Sequence, residues 1–389
     1  MGVTGTNVRR LFKEQLTEWE QAGNNYKALE GVKTKTVEVG GCTYNVQFNP
    51  ARITSSAAKV DPKSIRERKC FLCPANLPPQ QRSVGYKRKY KLLVNPYPIF
   101  PRHLTIPATT HTDQRILFRI GNMLDLAKEL SDYTLFYNGP ECGASAPDHM
   151  HFQAGSKGFL PIESEWRERI GGRVGTYGKA TLWFLNDAPR TTLIIESEDR
   201  DDAVGLFITL YGCMEATGRT DEPMMNVLTW YAGGKWVVCI FPRRQHRPAC
   251  YTAQGEANLL ISPASVDLAG VFIAPRETDF EKITAEDMAT ILSEVCLLPD
   301  DFLRLRQRIA EAIEPRISVG ILSEPQLTFV LRTPYVVSGQ EVIGEQTATC
   351  VDGQVLWQGR LYKELFFEPA EGEQGEFDIH DVTIGINFH

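Results

Sequence analysis

The hydrophobic positions change period several times along the chain, and each change predicts an element. Up to about Ala28, Leu11, Leu16, Trp19 and Tyr26 recur at loosely helical spacing among charges, which predicts a helix docking through one apolar stripe. From Val37 to Phe48, and again from Tyr90 to Val94, β-branched and aromatic residues alternate and read as strands. HLTIPA (103–108) is a further strand. Ile116, Ile120, Met123, Ala127 and Leu130 then follow a helical period, with Thr112 as a candidate N-cap. YTLFYN (133–138) and HMHFQA (149–154) return to strand, separated by a loop of Gly, Pro, Ser and Ala.

A second β-rich stretch runs from about Pro223 through KWVVCIFPRRQ (235–245) to NLLISPASVDLAGVFIAP (258–275) and loosely echoes the first. Thr284 and Asp287 have capping-box spacing ahead of a helix through Met288, Ile291, Leu292 and Val295, and a second helix is expected from about Asp300 to Ile313. Beyond Glu314 and Pro315 only short strands with Gly turns remain: ISVGIL (317–322), TFVLRTPYVV (328–337) and QVLWQGRLYKELFFEP (354–369). The pattern predicts an α+β fold: antiparallel sheets with flanking helices and an all-β module at the end. We expect a domain over residues 1–314, divided into halves of about 37–158 and 159–314, and a β-rich segment over 315–389.

Composition narrows the function classes. No apolar run approaches the roughly 18 residues needed to span a bilayer, and the charged start MGVTGTNVRRLFKEQLTEWEQ lacks the apolar stretch of a secretory signal. These points predict a cytoplasmic protein without a membrane partner. The nine cysteines, an odd number lying mostly alone in apolar surroundings, read as reduced thiols. A formal net charge of −6 spread through the chain argues against nucleic acid as a partner, while leaving room for local binding of a small anion.

The chemistry concentrates in HMHFQ. If the segment is a strand, residues two apart share a face, so His149, His151 and Gln153 align opposite Met150, Phe152 and Ala154. Imidazole, imidazole and amide suit phosphate handling or metal ligation. Two satisfied histidines would give the same alternation. The loop just upstream, NGPECGASAPD (138–148), tips the balance, because its small residues let a ligand approach backbone N–H groups.

Asn138, the GASAP loop and HMHFQ together resemble the active-site segment of the galactose-1-phosphate uridylyltransferase branch of the histidine-triad superfamily, with its H-x-H-x-Q motif. HMHFQA is especially similar to the corresponding segment of GDP-hexose phosphorylases, and dinucleoside polyphosphate phosphorylases share the logic. NPYPIFPRHLTIPATTH (95–111) resembles the strand and turn preceding the long helix of histidine-triad proteins. The resemblance covers roughly residues 40–313 and implies a fold of two pseudo-repeated halves. It also implies nucleotidyl transfer through a covalent intermediate on His151, with Gln153 and Ser145 on the transferred phosphate and Asn138, Gly143 and Arg52 at the nucleotide. Ser145 stands one residue further from the motif than in the uridylyltransferases, which loosens its assignment. The implied substrates are a nucleotide sugar or dinucleoside polyphosphate and a phosphate or sugar-phosphate acceptor, in a chain that can form a homodimer. His103 reads as a packed histidine. Arg243, Arg244 and His246 are the second-half counterpart of the first-half basic residues, and the second half, lacking the motif, is expected to supply scaffold and substrate contacts.

Cys70 and Cys73 form a CxxC knuckle suited to zinc in a reduced compartment. A redox pair is the alternative, although no thioredoxin-like strand and helix surround it. By the same resemblance His111 and His149 complete a structural Cys₂His₂ site. The tail from Ile317 resembles the leading segment of SpoIID/LytB-type proteins, cut short of that family's catalytic residue, which suggests truncation. The competing reading of the whole is a catalytically idle nucleotide-binding or cell-wall-associated module with a structural zinc. The joint presence of Asn138, His151 and Gln153 argues against it.

Overall fold

The computed structural model describes residues 5–53, 60–215, 218, 220–313, 326–351, 353–363, 365–370 and 375–380. The chain separates into two compact units, Met1–Ala310 and Glu311–His389. The expected boundary at Pro315, the strand at 317–322 and the terminal segment 381–389 lie outside the described residues.

The first unit is built on a ten-stranded sheet. Its strands are β3 (Ser83–Tyr86), β4 (Tyr90–Val94), β5 (His103–Pro107), β6 (Tyr133–Asn138), β7 (His151–Ser156), β8 (Ile170–Tyr177), β9 (Ala180–Leu185), β10 (Leu193–Ser197), β11 (Met225–Ala232) and β12 (Lys235–Pro242). They lie in the order β3-β4-β5-β7-β6-β11-β12-β10-β9-β8, every pair antiparallel. Counted inward from either edge, the five strands of each half follow one scheme: first, second, third, fifth, fourth. In each half a helix, Ile120–Glu129 or Arg200–Cys213, connects the third strand to the fourth. The halves are therefore structural repeats related about the β6–β11 seam. The strands of residues 170–197 were not singled out in the sequence, and they complete the second repeat.

The two connecting helices cover one face of this sheet. Over the other face lies a three-stranded sheet of β1 (Lys33–Val39), β2 (Cys42–Phe48) and β13 (Val271–Ala274). Residues 37–48 are thus one hairpin rather than a continuous strand, because Gly40 and Gly41 both take positive φ and form a tight two-residue turn. Tyr44, Val46, Phe272 and Ile273 bury against Phe136, Leu228, Cys239 and Phe241 of the large sheet. Burial of these side chains, at about 25 cal/mol per Å² of apolar surface, is the main force joining the layers.

Two boundaries depart from expectation. The opening segment is a pair of helices, Gly5–Glu18 and Glu20–Leu29, broken at the extended residue Trp19. Thr112 caps nothing: the following helix begins at Ile120 behind Arg119, which provides no side-chain cap. Residues near Thr112 are held instead by Met150, whose N–H donates to the Thr112 carbonyl at 2.6 Å. Near residue 284 the capping box forms, with the Thr284 hydroxyl and the Asp287 carboxylate exchanging hydrogen bonds with each other's backbone N–H.

Beyond the helix that ends at Ile313, the described residues of the second unit hold β-strands and no helix. Strands β14 (Gln326–Val337), β15 (Gln340–Val351), β16 (Gln354–Trp357), β17 (Arg360–Tyr362), β18 (Glu368–Pro369) and β19 (Phe377–His380) form one sheet around Leu327, Phe329, Leu331, Tyr335 and Ala348. Among the described residues no helix is long and apolar enough to cross a membrane.

Candidate active site

A cavity of about 420 Å³ opens on the face of the large sheet opposite the two connecting helices. Its floor follows one register row, Phe136–Gln153–Thr105–Leu93, across β6, β7, β5 and β4. Three strand spacings make that row ~14 Å long, about the reach of a mononucleotide. His151, Ser145, Ala144, Gly143 and Asn138 line it near β7, Arg52 and Tyr97 reach it from elsewhere in the first half, and Trp19 reaches it from the opening helix pair. Arg247, Ser262 and Asp267 reach it from the second half.

His151 begins β7 and is 4% exposed. Its Nδ1 lies 2.8 Å from the carbonyl oxygen of His149. A carbonyl only accepts, so Nδ1 carries the proton and Nε2 is left with its lone pair. The partner is thus the main-chain carbonyl two residues back. Burial pushes the imidazole down to about 4, so the ring is neutral near neutral pH.

His149 does not share a strand face with His151, because it precedes β7. Its Nε2 donates to the Ala108 carbonyl at 2.9 Å, which turns Nδ1 toward the thiols of Cys70 at 3.3 Å and Cys73 at 3.6 Å. His111 Nδ1 lies 3.2 Å from Cys73 Sγ. One ligand atom from each of Cys70, Cys73, His111 and His149 falls within 4.8 Å of the others. The cluster could hold a metal ion, and it has the donor set, the number of ligands and the supporting carbonyl bond of a closed four-coordinate site.

Gln153 is oriented by His103, which is fully buried. The Ile99 N–H donates to His103 Nδ1 at 3.2 Å, so Nε2 bears the proton and donates to Gln153 Oε1 at 3.0 Å. The amide oxygen is thereby occupied and the NH₂ of Gln153 becomes the cavity's donor. Burial, reinforced by the nearby Arg52 charge, pushes His103 down to about 3 and keeps it neutral. His103 is packed, as expected, and through Gln153 it also shapes the site.

Gly143 has φ +93, and a Cβ there would lie 2.6 Å from the Ala264 Cβ. Only glycine lets the small-residue loop lie this close to the second half. Asn138 is a structural junction: its Oδ1 accepts from Asn226 Nδ2 at 2.9 Å and from the N–H and hydroxyl of Ser265. Half-buried Arg52 donates from Nη1 to the Tyr97 carbonyl at 2.8 Å, and burial pulls its pKa down to about 10. Arg243, grouped with the basic residues in the sequence, does not line the cavity. It is buried and donates to the carbonyls of Val295, Pro263, Gln245 and His246 and to Asn226, bracing the second-half loops instead.

Gln114 went unremarked in the sequence. It is fully buried and makes three side-chain hydrogen bonds to the backbone of Asn138 and His151. Its setting, TTHTDQ, is a polar run without period, so nothing local marks it.

Residues 11–156 match a family model described as a domain of unknown function, DUF4922. Residues 189–316 match one described as the GDPGP1-like C-terminal domain. No curated protein matches the chain. Among solved structures, yeast Ap4A phosphorylase is similar at 18% identity, covering 72% of this chain and 96% of that one, with a TM-score of 0.48. A DUF4931 family protein from Bacillus cereus is 17% identical over 46% of this chain and 94% of its own, with a TM-score of 0.33. A GalT-like protein from Arabidopsis thaliana is 15% identical over 68% of this chain and 100% of its own, with a TM-score of 0.30. Likenesses this distant carry no information on substrate.

Proposed function

We propose that the chain is a histidine-triad-type nucleotidyltransferase that forms a covalent nucleotidyl intermediate on His151. The carrying observation is the buried imidazole whose Nδ1–H is tied to the His149 carbonyl, so that Nε2 is the atom offered to the cavity. In the first step Nε2 attacks the α-phosphorus of a nucleotide sugar or dinucleoside polyphosphate. An N–P bond forms and the P–O bond to the leaving phosphate breaks, its electron pair departing with that oxygen. In the second step an oxygen of inorganic phosphate or a sugar phosphate attacks the same phosphorus and the N–P bond breaks, returning the pair to Nε2. The two displacements give ping-pong kinetics at a single site.

The Gln153 NH₂ and the backbone around Gly143 to Ser145 stabilise the charge on the phosphoryl oxygens, with the Ser145 hydroxyl beside them. The base extends along the sheet row toward Leu93 and Trp19. Arg52, from the first half, balances the substrate's negative charge, and Arg247 and Ser262 bring the second half to the acceptor side. Zinc fits the Cys70, Cys73, His111 and His149 set. It would be held there as a structural ion, fixing His149 and with it the carbonyl that orients His151. The tail unit takes no part in this chemistry, and neither matched family model extends beyond residue 316; we assign it no cell-wall role.

The test is to incubate the protein with α-³²P-labelled GDP-, ADP- and UDP-hexoses and Ap4A, then look for a protein label that is acid-labile and base-stable. Such a label on wild type but not on His151→Asn supports the reading. Turnover of any of these substrates without a label on His151 would refute the covalent mechanism.

A further inference from the structure

Phe136 and Gln153 form the last paired rung between β6 and β7. Continued by one more pair of residues on the same face, the ladder would set Asn138 against His151. There the strands part, and the side chain of Gln114 occupies the gap. Its Nε2 donates to the carbonyl of Asn138 and to the carbonyl of His151, each at 3.0 Å, and its Oε1 accepts from the His151 N–H at 2.8 Å. A backbone peptide unit has one donor and one acceptor. A primary amide has two donors and an acceptor, so this side chain satisfies three buried main-chain groups at once.

The geometry has two effects. It holds both main-chain hydrogen-bonding groups of His151, fixing the backbone from which the imidazole projects. It also wedges the strands apart where the ring must meet the cavity.

Gln114 is itself braced. Its N–H donates to the Pro147 carbonyl at 3.2 Å. Two residues later the Ile116 N–H donates to Glu222 Oε1 at 2.9 Å. The Tyr137 hydroxyl lies 2.8 Å from the same Glu222 oxygen and 3.1 Å from the Gln114 carbonyl. The Tyr211 hydroxyl donates to Glu222 Oε2 at 2.7 Å. Glu222 is 1% exposed, and both it and Tyr211 belong to the second half. A carboxylate this deep persists because three donors meet it.

We propose that Gln114, braced by Glu222 of the second half, is the positioning residue that sets the line of attack of His151. The role rests on the reading of His151 as the nucleophile. It gives the half without the H-x-H-x-Q motif a part in the chemistry.

The experiment uses the full chain in three variants. Gln114→Met keeps length and loses all three hydrogen bonds. Gln114→Glu keeps the acceptor for the His151 N–H and loses both donors. Glu222→Gln disturbs only the brace. Each is measured for single-turnover labelling with the α-³²P panel, for binding of GMP and AMP, and for the ¹⁵N shifts of the His151 ring in the apo-protein. We expect Gln114→Met and Gln114→Glu to label ~100-fold more slowly, the scale of a misplaced reacting group, with monophosphate binding nearly unchanged. The ¹⁵N pattern should turn from a single Nδ1–H tautomer to a mixture. Glu222→Gln should slow labelling less than either.

Wild-type labelling rates in both Gln114 variants would overturn the proposal. So would slow labelling matched by equal loss of monophosphate binding with the tautomer unchanged, because that outcome marks a merely structural residue. If wild type gives no label, the functional reading falls, and a single tautomer unchanged by the Gln114 variants would remove the positioning claim separately.

Discussion

Replacing His103 with Phe tests whether Gln153 works only when its amide is held one way round. The ring is fully buried and serves two groups, accepting from the Ile99 N–H at 3.2 Å and donating to Gln153 Oε1 at 3.0 Å. Phe keeps the shape and removes both. The Ile99 N–H is then orphaned in the interior, a loss of about 1–3 kcal/mol in stability. Gln153 loses the partner that told its oxygen from its nitrogen, so the amide can turn its oxygen toward the phosphate. The ceiling on the catalytic effect is the loss of the whole amide, ~10²–10³-fold for one transition-state donor. His103→Phe should fall below that ceiling, at roughly tenfold. Because His103 acts through Gln153, the two substitutions should not add: His103→Phe with Gln153→Ala should react as slowly as Gln153→Ala alone. Rates of nucleotidyl-His151 formation for the four proteins of the cycle, beside their melting curves, decide it. A double variant slower by the product of the single effects would refute the claim that His103 works through Gln153.

Other substitutions probe the rest of the site. His151→Asn should abolish nucleotidyl transfer by several orders of magnitude while nucleotide binding persists, checked by single-turnover kinetics and calorimetry. Cys73→Ser should lower the zinc content from one ion per chain and lower Tm, since a structural metal contributes to folding free energy; elemental analysis and thermal melts read both. Gly143→Ala should cost about 1–3 kcal/mol, since it forces a side chain into φ +93 against Ala264, and chemical denaturation measures it. Cleavage between residues 313 and 326 should leave nucleotide binding with the first unit, as fluorescence titration of the purified fragment will show.

Much of this was legible because the decisive signals are local. YTLFYN reads as a strand and is one, at 133–138. Thr284 and Asp287 announce a helix start through spacing alone. The residues drawn from the motif also meet in space: His151, Gln153, Ser145, Asn138, Gly143 and Arg52 line one cavity, and Cys70, Cys73, His111 and His149 form one cluster. What was illegible depends on long-range contact. Period-two alternation put His149 on the face of His151, but the strand starts later, because the residues before it turn toward the thiols. Helical spacing after His111 gave no sign that residues 112–119 stay irregular while Gln114 fills a gap between two strands. Arg243 was grouped with the basic residues by type, and its bracing role became visible only once five partners from four segments had gathered around it. Asn138 likewise gives its oxygen to a helix start more than a hundred residues away.

The repeat about the β6–β11 seam has a consequence for assembly. A half on its own would end in β6 or β11 as a bare edge, mostly apolar and almost entirely buried in the intact chain, and bare apolar edges recruit other strands. Fusion gives each such edge a permanent neighbour before any second molecule can compete for it. The outermost strands left to meet another copy are β3, against which the first helix packs, and β8, whose pairing with β9 is interrupted by register shifts. A covered border and an irregular one are poor templates for further strand addition. The sheet is thereby closed to growth from within, and a second subunit, if recruited, would more readily meet the molecule through a face than through a strand border.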